Sequence, residues 1–196
     1  MNDFEKNVLY TFPTSIYVVD DLFSNEELLY FVELSREMEK NIKRGGKNWQ
    51  SPVYNTLGTY NLVNDVKFKI LIDSVTEQVE NFNNLMNSKH KYLCEDAWIN
   101  CYKKGDYQEL HNHAGSTYSA VLFLKCLDES SPIVFQSPAA PYDMLPIKKI
   151  EEHNALNSHN TRIYAKENSL VIFRSYLYHR VPPNNSDERI SIAFNF

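Results

Sequence analysis

The sequence predicts a single α+β domain, in which a β-sandwich or barrel carries supporting helices on one face. Helical periodicity is confined to the first half of the 196-residue chain, and short β-rich apolar runs fill the second half. Helices first and many short strands after are typical of this class. Because one hydrophobic core usually grows to about 250 residues, we expect residues 1–196 to form one domain, with helical support over 1–92 and the barrel core over 93–196.

The first half begins with a strand and continues with two helices. The β-branched and aromatic stretch 14–21 predicts the strand. Ser24 to Glu27 forms a Ser-x-x-Glu capping box, which predicts a helix start, and we expect this helix to run to about Lys40. The second helix, with Asn64 or Asp65 as its cap, is predicted by apolar residues at helical spacing: Leu71, Val75, Val79 and Phe82.

The second half contains the predicted strands. Their apolar runs are short, rich in β-branched and aromatic residues and separated by polar segments. They cover Ala97 to Tyr102, Tyr118 to Leu124, Ile133 to Gln136, Thr161 to Ala165, Leu170 to Phe173 and Ile190 to Phe196. The stretch from Gln136 to Asn160, which contains three prolines, is predicted to be a long loop.

Composition and charge exclude several classes of protein. A formal net charge of −5 and 43% hydrophobic residues indicate a globular protein that does not bind nucleic acid, because phosphate backbones are held by clustered Lys and Arg. Cys94, Cys101 and Cys126 are odd in number and lack a Cys-x-x-Cys spacing, so they predict neither disulfides nor a thiolate zinc site. No apolar stretch of about 18 residues occurs. We expect a soluble cytoplasmic protein with no membrane segment.

Three histidines form the candidate metal site. His111 and His113 lie two positions apart, and in an extended segment such side chains project from one face, towards one ion. His179 follows an apolar strand and is the natural third ligand, provided that a closed sheet brings the ends of distant strands together. The alternative is that His111 and His113 are exposed loop residues and His179 is a satisfied core residue.

The last predicted strand carries a candidate anion site. Ile190, Ile192 and Phe194 alternate along it with Arg189 and Ser191, so one face is apolar and the other offers a guanidinium and a hydroxyl. This pair suits a carboxylate, which a guanidinium binds through two parallel hydrogen bonds. The alternative is an ion pair of Arg189 with a neighbouring carboxylate, Asp187 or Glu188.

The ordered motif Tyr102-x-x-Gly105-x-Tyr107-x-x-x-His111-x-His113, followed by His179 and Arg189-x-Ser191, resembles the iron(II)- and 2-oxoglutarate-dependent oxygenases. It is most similar to their prolyl-hydroxylase-like branch, including small bacterial and phage members. The resemblance implies a double-stranded β-helix, a jelly-roll barrel similar to that of the cupins. It also implies that His111 and His179 bind the metal, that Arg189 and Ser191 bind the distal carboxylate of 2-oxoglutarate, and that Tyr102 contacts the same co-substrate.

The second metal position departs from the family pattern. The family usually has Asp or Glu where this chain has His113. Three neutral imidazoles also resemble a catalytic zinc site, so zinc is the alternative metal to iron(II). Glu109 and Asp106 are alternative carboxylate donors for this position, but we rank His113 above both as the metal ligand.

The resemblance implies a dioxygenase that hydroxylates an unidentified peptide or small-molecule substrate, with a peptidyl residue favoured by the branch. Two alternatives stay open at this point. One is a three-histidine, cupin-like metalloenzyme that does not use 2-oxoglutarate. The other is a non-catalytic barrel that uses its pocket for binding.

Overall fold

A computed structural model describes residues 13–139, 151–152, 154 and 157–196. Within these ranges the chain forms two α-helices and ten antiparallel β-strands in two sheets. The predicted α+β class is therefore confirmed. Most of the predicted loop from Gln136 to Asn160 lies outside the described residues.

The helices are α1 (Asn25–Asn41) and α2 (Lys69–Leu85), and two short 3-10 helices, Leu62–Asn64 and Val66–Phe68, precede α2. The strands are β1 (Ile16–Val19), β2 (Tyr54–Asn55), β3 (Asp96–Tyr102), β4 (Gln108–His111), β5 (Tyr118–Cys126), β6 (Ile133–Gln136), β7 (Asn160–Ile163), β8 (Ser169–Arg174), β9 (His179–Val181) and β10 (Arg189–Asn195).

The larger sheet has six strands in the order β1-β8-β5-β10-β3-β2, and the smaller has four in the order β4-β9-β6-β7. One apolar cluster joins the two sheets, with Phe123 and Phe173 from the larger sheet and Ile133 and Phe135 from the smaller. A second cluster joins both helices to the larger sheet. The helices thus cover one sheet, and the space between the sheets is left for a site. Two strands from residues 1–92, β1 and β2, extend the larger sheet.

The capping box of α1 is confirmed, whereas the predicted cap of α2 is wrong. The Ser24 hydroxyl accepts a hydrogen bond from the Glu27 backbone N–H, and the Glu27 carboxylate accepts one from the Ser24 N–H. The Asp65 side chain caps the 3-10 helix that begins at Val66, and α2 then starts without a side-chain cap. The residues predicted for the apolar stripe of α2 are all buried.

The strand predictions are confirmed for the apolar runs, and they miss the two-residue strand β2 and the two polar strands β4 and β9. Strands β4 and β9 lie in the smaller sheet. No helix in the described ranges is long and apolar enough to cross a membrane.

Candidate metal and co-substrate site

His111, His113 and His179 come together between the sheets. One ligand atom from each of the three lies within 4.8 Å of the others. Their ring centroids are 4.3 Å apart for His111 and His179, and 5.2 Å apart for each of the other two pairs. His179 is buried and the other two are half-buried. This arrangement excludes the alternative of separate surface and core histidines.

Strand register explains how residues so far apart in the chain become neighbours. In the β4–β9 pair, His111 lies directly opposite His179, and Gln108 lies opposite Val181. β4 therefore has one residue more than β9 between these pairs, which is a β-bulge. The bulge allows Gln108 and His111 to line the same cavity, although a regular strand would direct positions of odd spacing to opposite faces. Leu110 is half-exposed.

His113 lies beyond the end of β4 and is held by a different contact. Its backbone N–H donates to the backbone oxygen of Ser175, at 3.0 Å. Ser175 belongs to the turn that joins β8 to β9, so the loop bearing His113 is attached to the segment that leads to His179. A regular His-x-His strand was expected here, and the structure replaces it with a strand end and a turn.

Each histidine has a hydrogen-bond partner at Nδ1. The acceptors are the backbone oxygen of Glu109 for His111 (2.7 Å), the backbone oxygen of Leu177 for His179 (2.9 Å) and Asn195 Oδ1 for His113 (2.6 Å). A backbone carbonyl only accepts, so Nδ1 of His111 and of His179 carries the hydrogen. The lone pair of each neutral ring is then at Nε2, and it is available to a metal ion.

The environment keeps these rings neutral. Burial lowers the pKa of His113 to about 4 and that of His179 to about 3, and it also lowers the pKa of His111. The positive charge that each ring would place beside another contributes to the shifts of His113 and His179. Neutral imidazole is the form that binds metals, so the triad is ready for a metal at neutral pH.

The two alternative carboxylate donors are engaged elsewhere. Glu109 Oε1 accepts hydrogen bonds from the backbone N–H groups of Gln50 (2.6 Å) and Ser51 (3.0 Å). Asp106 Oδ2 accepts from the Lys103 N–H at 2.9 Å, which closes a turn. Neither carboxylate belongs to the histidine cluster, so within the described residues the candidate metal donors are imidazoles.

Arg189 is a buried cation without a carboxylate partner in the part of the chain that the structure describes. Its side chain is 1% exposed, its guanidinium carbon lies 4.5 Å from the ring centroid of Tyr102 and 5.0 Å from that of Phe123, and Nη1 donates to Ser191 Oγ at 3.4 Å. The Nε–H has no hydrogen-bond partner. The Glu188 carboxylate binds Arg36 instead, with two contacts of 2.9 and 2.7 Å. The predicted alternative of an ion pair between Arg189 and Glu188 is therefore wrong.

The register of β3 and β10 explains the common face of the predicted co-substrate residues. Arg189 lies opposite Tyr102, and Ser191 lies opposite Asn100. Ser191, Tyr102 and the three histidines line one cavity of about 250 Å³. Arg189 does not line this cavity itself, but it contacts two residues that do, Tyr102 and Ser191. Burial raises the pKa of the Tyr102 hydroxyl, so this group keeps its proton.

Two tryptophans flank the triad, and sequence reasoning assigned neither to the metal site. Trp49 packs edge-on against His111, with ring centroids 4.8 Å apart, and Trp98 stacks on His113 at 5.7 Å. The Glu109 carboxylate holds the segment that bears Trp49, through the Gln50 and Ser51 N–H groups. No sequence signal identified Trp49, because it lies in a polar, glycine-containing stretch far from the histidines.

The residues present fit a divalent metal and a dicarboxylate. The triad offers three neutral nitrogen donors, which suit iron(II) as well as zinc. Within the described ranges, the buried Arg189, with its unpartnered Nε–H, has no anion of the kind that a buried guanidinium requires. A ligand carboxylate would supply that anion.

Comparisons with known proteins give the family and the fold. The sequence model of a family described as "Putative 2OG-Fe(II) oxygenase" matches residues 96–195. No curated protein matches the chain.

Solved structures with a similar fold include a prolyl-4-hydroxylase from Pseudomonas putida, with a TM-score of 0.62 and 12% identity over 93% of this chain and 92% of that chain. HygX from Streptomyces hygroscopicus, solved with nickel, 2-oxoglutarate and hygromycin B, has a TM-score of 0.62 and 12% identity over 92% and 82%. A prolyl hydroxylase from Trichoplax adhaerens, in complex with a peptide fragment, has a TM-score of 0.61 and 10% identity over 92% and 83%. These neighbours confirm the predicted double-stranded β-helix.

Proposed function

Because this chain belongs to the 2OG-Fe(II) oxygenase family, we propose that it hydroxylates a neutral group of a peptide or small-molecule substrate. In this proposal His111, His113 and His179 hold iron(II). Arg189 and Ser191 bind the distal carboxylate of 2-oxoglutarate, and the Tyr102 hydroxyl donates a hydrogen bond to the same molecule. The observation that carries the proposal is the buried, unpaired Arg189 beside a cavity that also contains the three histidines.

Iron(II) and 2-oxoglutarate, when bound, supply the oxidising chemistry, in which O₂, 2-oxoglutarate and a C–H bond are converted to succinate, CO₂ and a C–OH group. The protein's own residues bind, orient and shield. The three histidines would hold the iron(II) through their Nε2 atoms, and Arg189 with Ser191 would orient 2-oxoglutarate beside it. Trp49 and Trp98 pack against the triad and limit the access of water to it.

The cavity lining supports a neutral target group. It combines apolar walls with amide and imidazole groups, and among the described residues its lining contains no carboxylate, ammonium or guanidinium group. The Arg189 guanidinium, which contacts the lining residues Tyr102 and Ser191, is assigned in this proposal to 2-oxoglutarate. A charged substrate group would lose its hydration there without gaining a partner. HygX was solved with a small molecule and the Trichoplax enzyme with a peptide. These two neighbours support a small molecule and a peptide alike as the substrate that bears the target group. The free thiols of Cys94, Cys101 and Cys126 support a reducing, cytoplasmic location as part of this proposal.

The donor set favours one second candidate, a three-histidine zinc enzyme that does not use 2-oxoglutarate. Three neutral imidazoles are a common donor set of catalytic zinc. The unpaired Arg189 weighs against this candidate, because zinc hydrolysis does not require a buried guanidinium at that place.

The test is an anaerobic titration of the metal-free protein with iron(II) and then with 2-oxoglutarate. We expect the visible charge-transfer band of an iron-bound keto acid, lost in His179→Ala through loss of metal and weakened in Arg189→Ala through loss of co-substrate affinity. Iron binding without the band would favour the three-histidine enzyme that does not use 2-oxoglutarate. Absence of metal binding would favour a non-catalytic barrel.

A further inference from the structure

We propose that Asn195 is the positioning residue for His113: its side-chain amide selects the tautomer in which the Nε2 of His113 can bind the metal. The inference rests on the proposed function only in taking His113 as a ligand. The tautomer itself is a property of the metal-free protein, and it can be tested without any metal.

His113 differs from the other two histidines in how its ring is held. His111 and His179 each donate from Nδ1 to the backbone oxygen two residues earlier in the chain. This contact is local in the chain, since Glu109 lies in β4 and Leu177 lies in the turn that precedes β9. His113 lies outside a strand, and its Nδ1 is 2.6 Å from the Oδ1 of Asn195, which is 82 residues away. The ring of His113 therefore depends on a side chain, whereas the other two depend on the backbone.

The amide oxygen of Asn195 faces both the His113 ring and the Ser119 hydroxyl. Ser119 Oγ lies 3.2 Å from Asn195 Oδ1 and 2.8 Å from Ser175 Oγ. If Ser175 donates to Ser119, then Ser119 donates to Asn195, and the oxygen of the amide faces both Ser119 and His113. Nδ1 of His113 must then carry the hydrogen, because an amide oxygen only accepts. The opposite orientation would place the amide NH₂ against Nδ1 and put the hydrogen of His113 on Nε2, where the metal would bind.

Asn195 is well placed to enforce this choice. It is the last residue of β10 and lies between Asp96 of β3 and Ser119 of β5. Its backbone oxygen accepts from the Glu95 N–H at 2.9 Å. Strand pairing on both sides fixes the backbone, so the amide has few rotamers available. A contact partner of this kind fixes the tautomer and the orientation of a metal-binding histidine, and its loss commonly weakens metal affinity by about 10- to 100-fold.

The amide is neutral, and this has a chemical consequence. A carboxylate at position 195 would also accept from Nδ1, but it would make the imidazole of His113 more electron-donating. Asn195→Asp therefore returns a negative charge to the site, one hydrogen bond away from the metal. We expect this variant to bind divalent metals more tightly than the wild type, and Asn195→Ala to bind them more weakly.

The first experiment measures the tautomer by ¹⁵N NMR of the histidine side chains in the metal-free protein at pH 7.5. We expect the Nδ1–H form for His113 in the wild type and in Asn195→Asp, and a substantial Nε2–H fraction in Asn195→Ala. The matched control is Asn100→Ala, which removes another amide of the same cavity; the Asn100 amide makes no hydrogen bond to any histidine that the structure describes. An unchanged His113 tautomer in Asn195→Ala would overturn the proposal.

The second experiment measures cobalt(II) affinity in a double-mutant cycle with His113→Ala. We expect Asn195→Ala to weaken binding by about 10- to 100-fold in the presence of His113 and to change it little in its absence. An equal loss in both backgrounds would show a general structural role and would contradict the proposal. A wild type that binds no cobalt(II), with the expected tautomers, would contradict the proposed function and leave the positioning of His113 standing.

Discussion

Arg189 is a residue whose burial costs stability in the absence of a ligand. A guanidinium that is 1% exposed and has an unpartnered Nε–H has lost hydration without gaining an anion from the part of the chain that is described. The aromatic faces of Tyr102 and Phe123 offset part of this cost through cation–π contact. Such a residue is expected to serve binding at the expense of stability.

Replacing Arg189 with Met should separate the two effects. We expect the ligand-free variant to gain about 1 kcal/mol or more in free energy of unfolding, because apolar replacement of buried charge is often stabilising. Its affinity for 2-oxoglutarate should fall at least about 30-fold, which corresponds to roughly 2 kcal/mol of lost ion pairing. Urea unfolding and calorimetric titration measure the two quantities. A variant that is less stable and binds 2-oxoglutarate normally would show that Arg189 is structural.

Among the elements, β4 shows how a short irregular strand can build a site. Its bulge brings Gln108 and His111 to the same cavity, and the side chain of Glu109, between them, extends to the segment that bears Trp49. One four-residue strand thus contributes a candidate metal donor, His111, and also secures the cavity wall.

The Glu109 contact predicts a local opening. Glu109→Ala removes the acceptor of two backbone N–H groups, and hydrogen bonds to a charged group are worth about 1.5–3 kcal/mol each. We expect trypsin to cleave after Lys47 about tenfold faster or more, because the segment opens more often. Glu109→Gln should lie between this variant and the wild type, since an amide retains one acceptor, and Glu33→Ala is an exposed control. Equal cleavage rates for Glu109→Ala and wild type would show that the segment is held by other contacts.

Elements with a strong apolar pattern could be predicted from the sequence, and those without one could not. β8 and β10 are buried. In the sequence β8 appears as a continuous apolar run, and β10 appears as apolar residues that alternate with Arg189 and Ser191. β4 and β9 are only four and three residues long and contain few apolar residues, which leaves no hydrophobic period to detect. The cap of α2 was missed because a 3-10 turn takes up Asp65, and short turns have little signature of their own.

The same reasoning applies to the site. The histidines, Arg189 and Ser191 could be predicted because their side chains carry the chemistry in their type and spacing. Asn195 and Trp49 could not, since their contacts with the histidines depend on the fold and join residues more than 50 positions apart. A neutral amide or an indole has many ordinary roles in a protein, so its type alone indicates none of them.

For the whole molecule, packing supports one cooperative unit. Both helices share an apolar cluster with the larger sheet, and β1 pairs with β8, so residues before and after position 92 are joined in one core. We propose that the chain unfolds as one domain and expect a single urea transition by far-UV circular dichroism and by near-UV signals. Two separate transitions would indicate that the helical and strand regions fold independently.

The triad also makes the stability of the metal-free molecule depend on pH. The pKa of His113 is lowered to about 4 and that of His179 to about 3, whereas histidines in the unfolded chain titrate near 6.5. Between these values the unfolded chain binds protons that the folded state does not. The free energy of unfolding should therefore decrease as the pH falls from about 7 to 5, by up to about 1.4 kcal/mol per pH unit for each histidine.

Urea unfolding at pH 7, 6 and 5 measures this slope. The double variant His113→Asn/His179→Asn should show a flatter dependence over the same range, where carboxylates contribute little because they titrate lower. Equal slopes for wild type and double variant would place the pH dependence elsewhere in the chain.

The placement of the indoles gives the molecule an intrinsic optical reporter. The chain has two tryptophans, and each packs against a histidine of the triad, so all tryptophan emission arises within a few ångströms of the candidate metal. A paramagnetic ion such as cobalt(II) should quench most of this emission, and Trp49→Phe and Trp98→Phe would divide the signal between the two sides of the site. Binding without quenching would place the ion elsewhere. Occupancy can thus be followed in unlabelled protein, before any substrate is known.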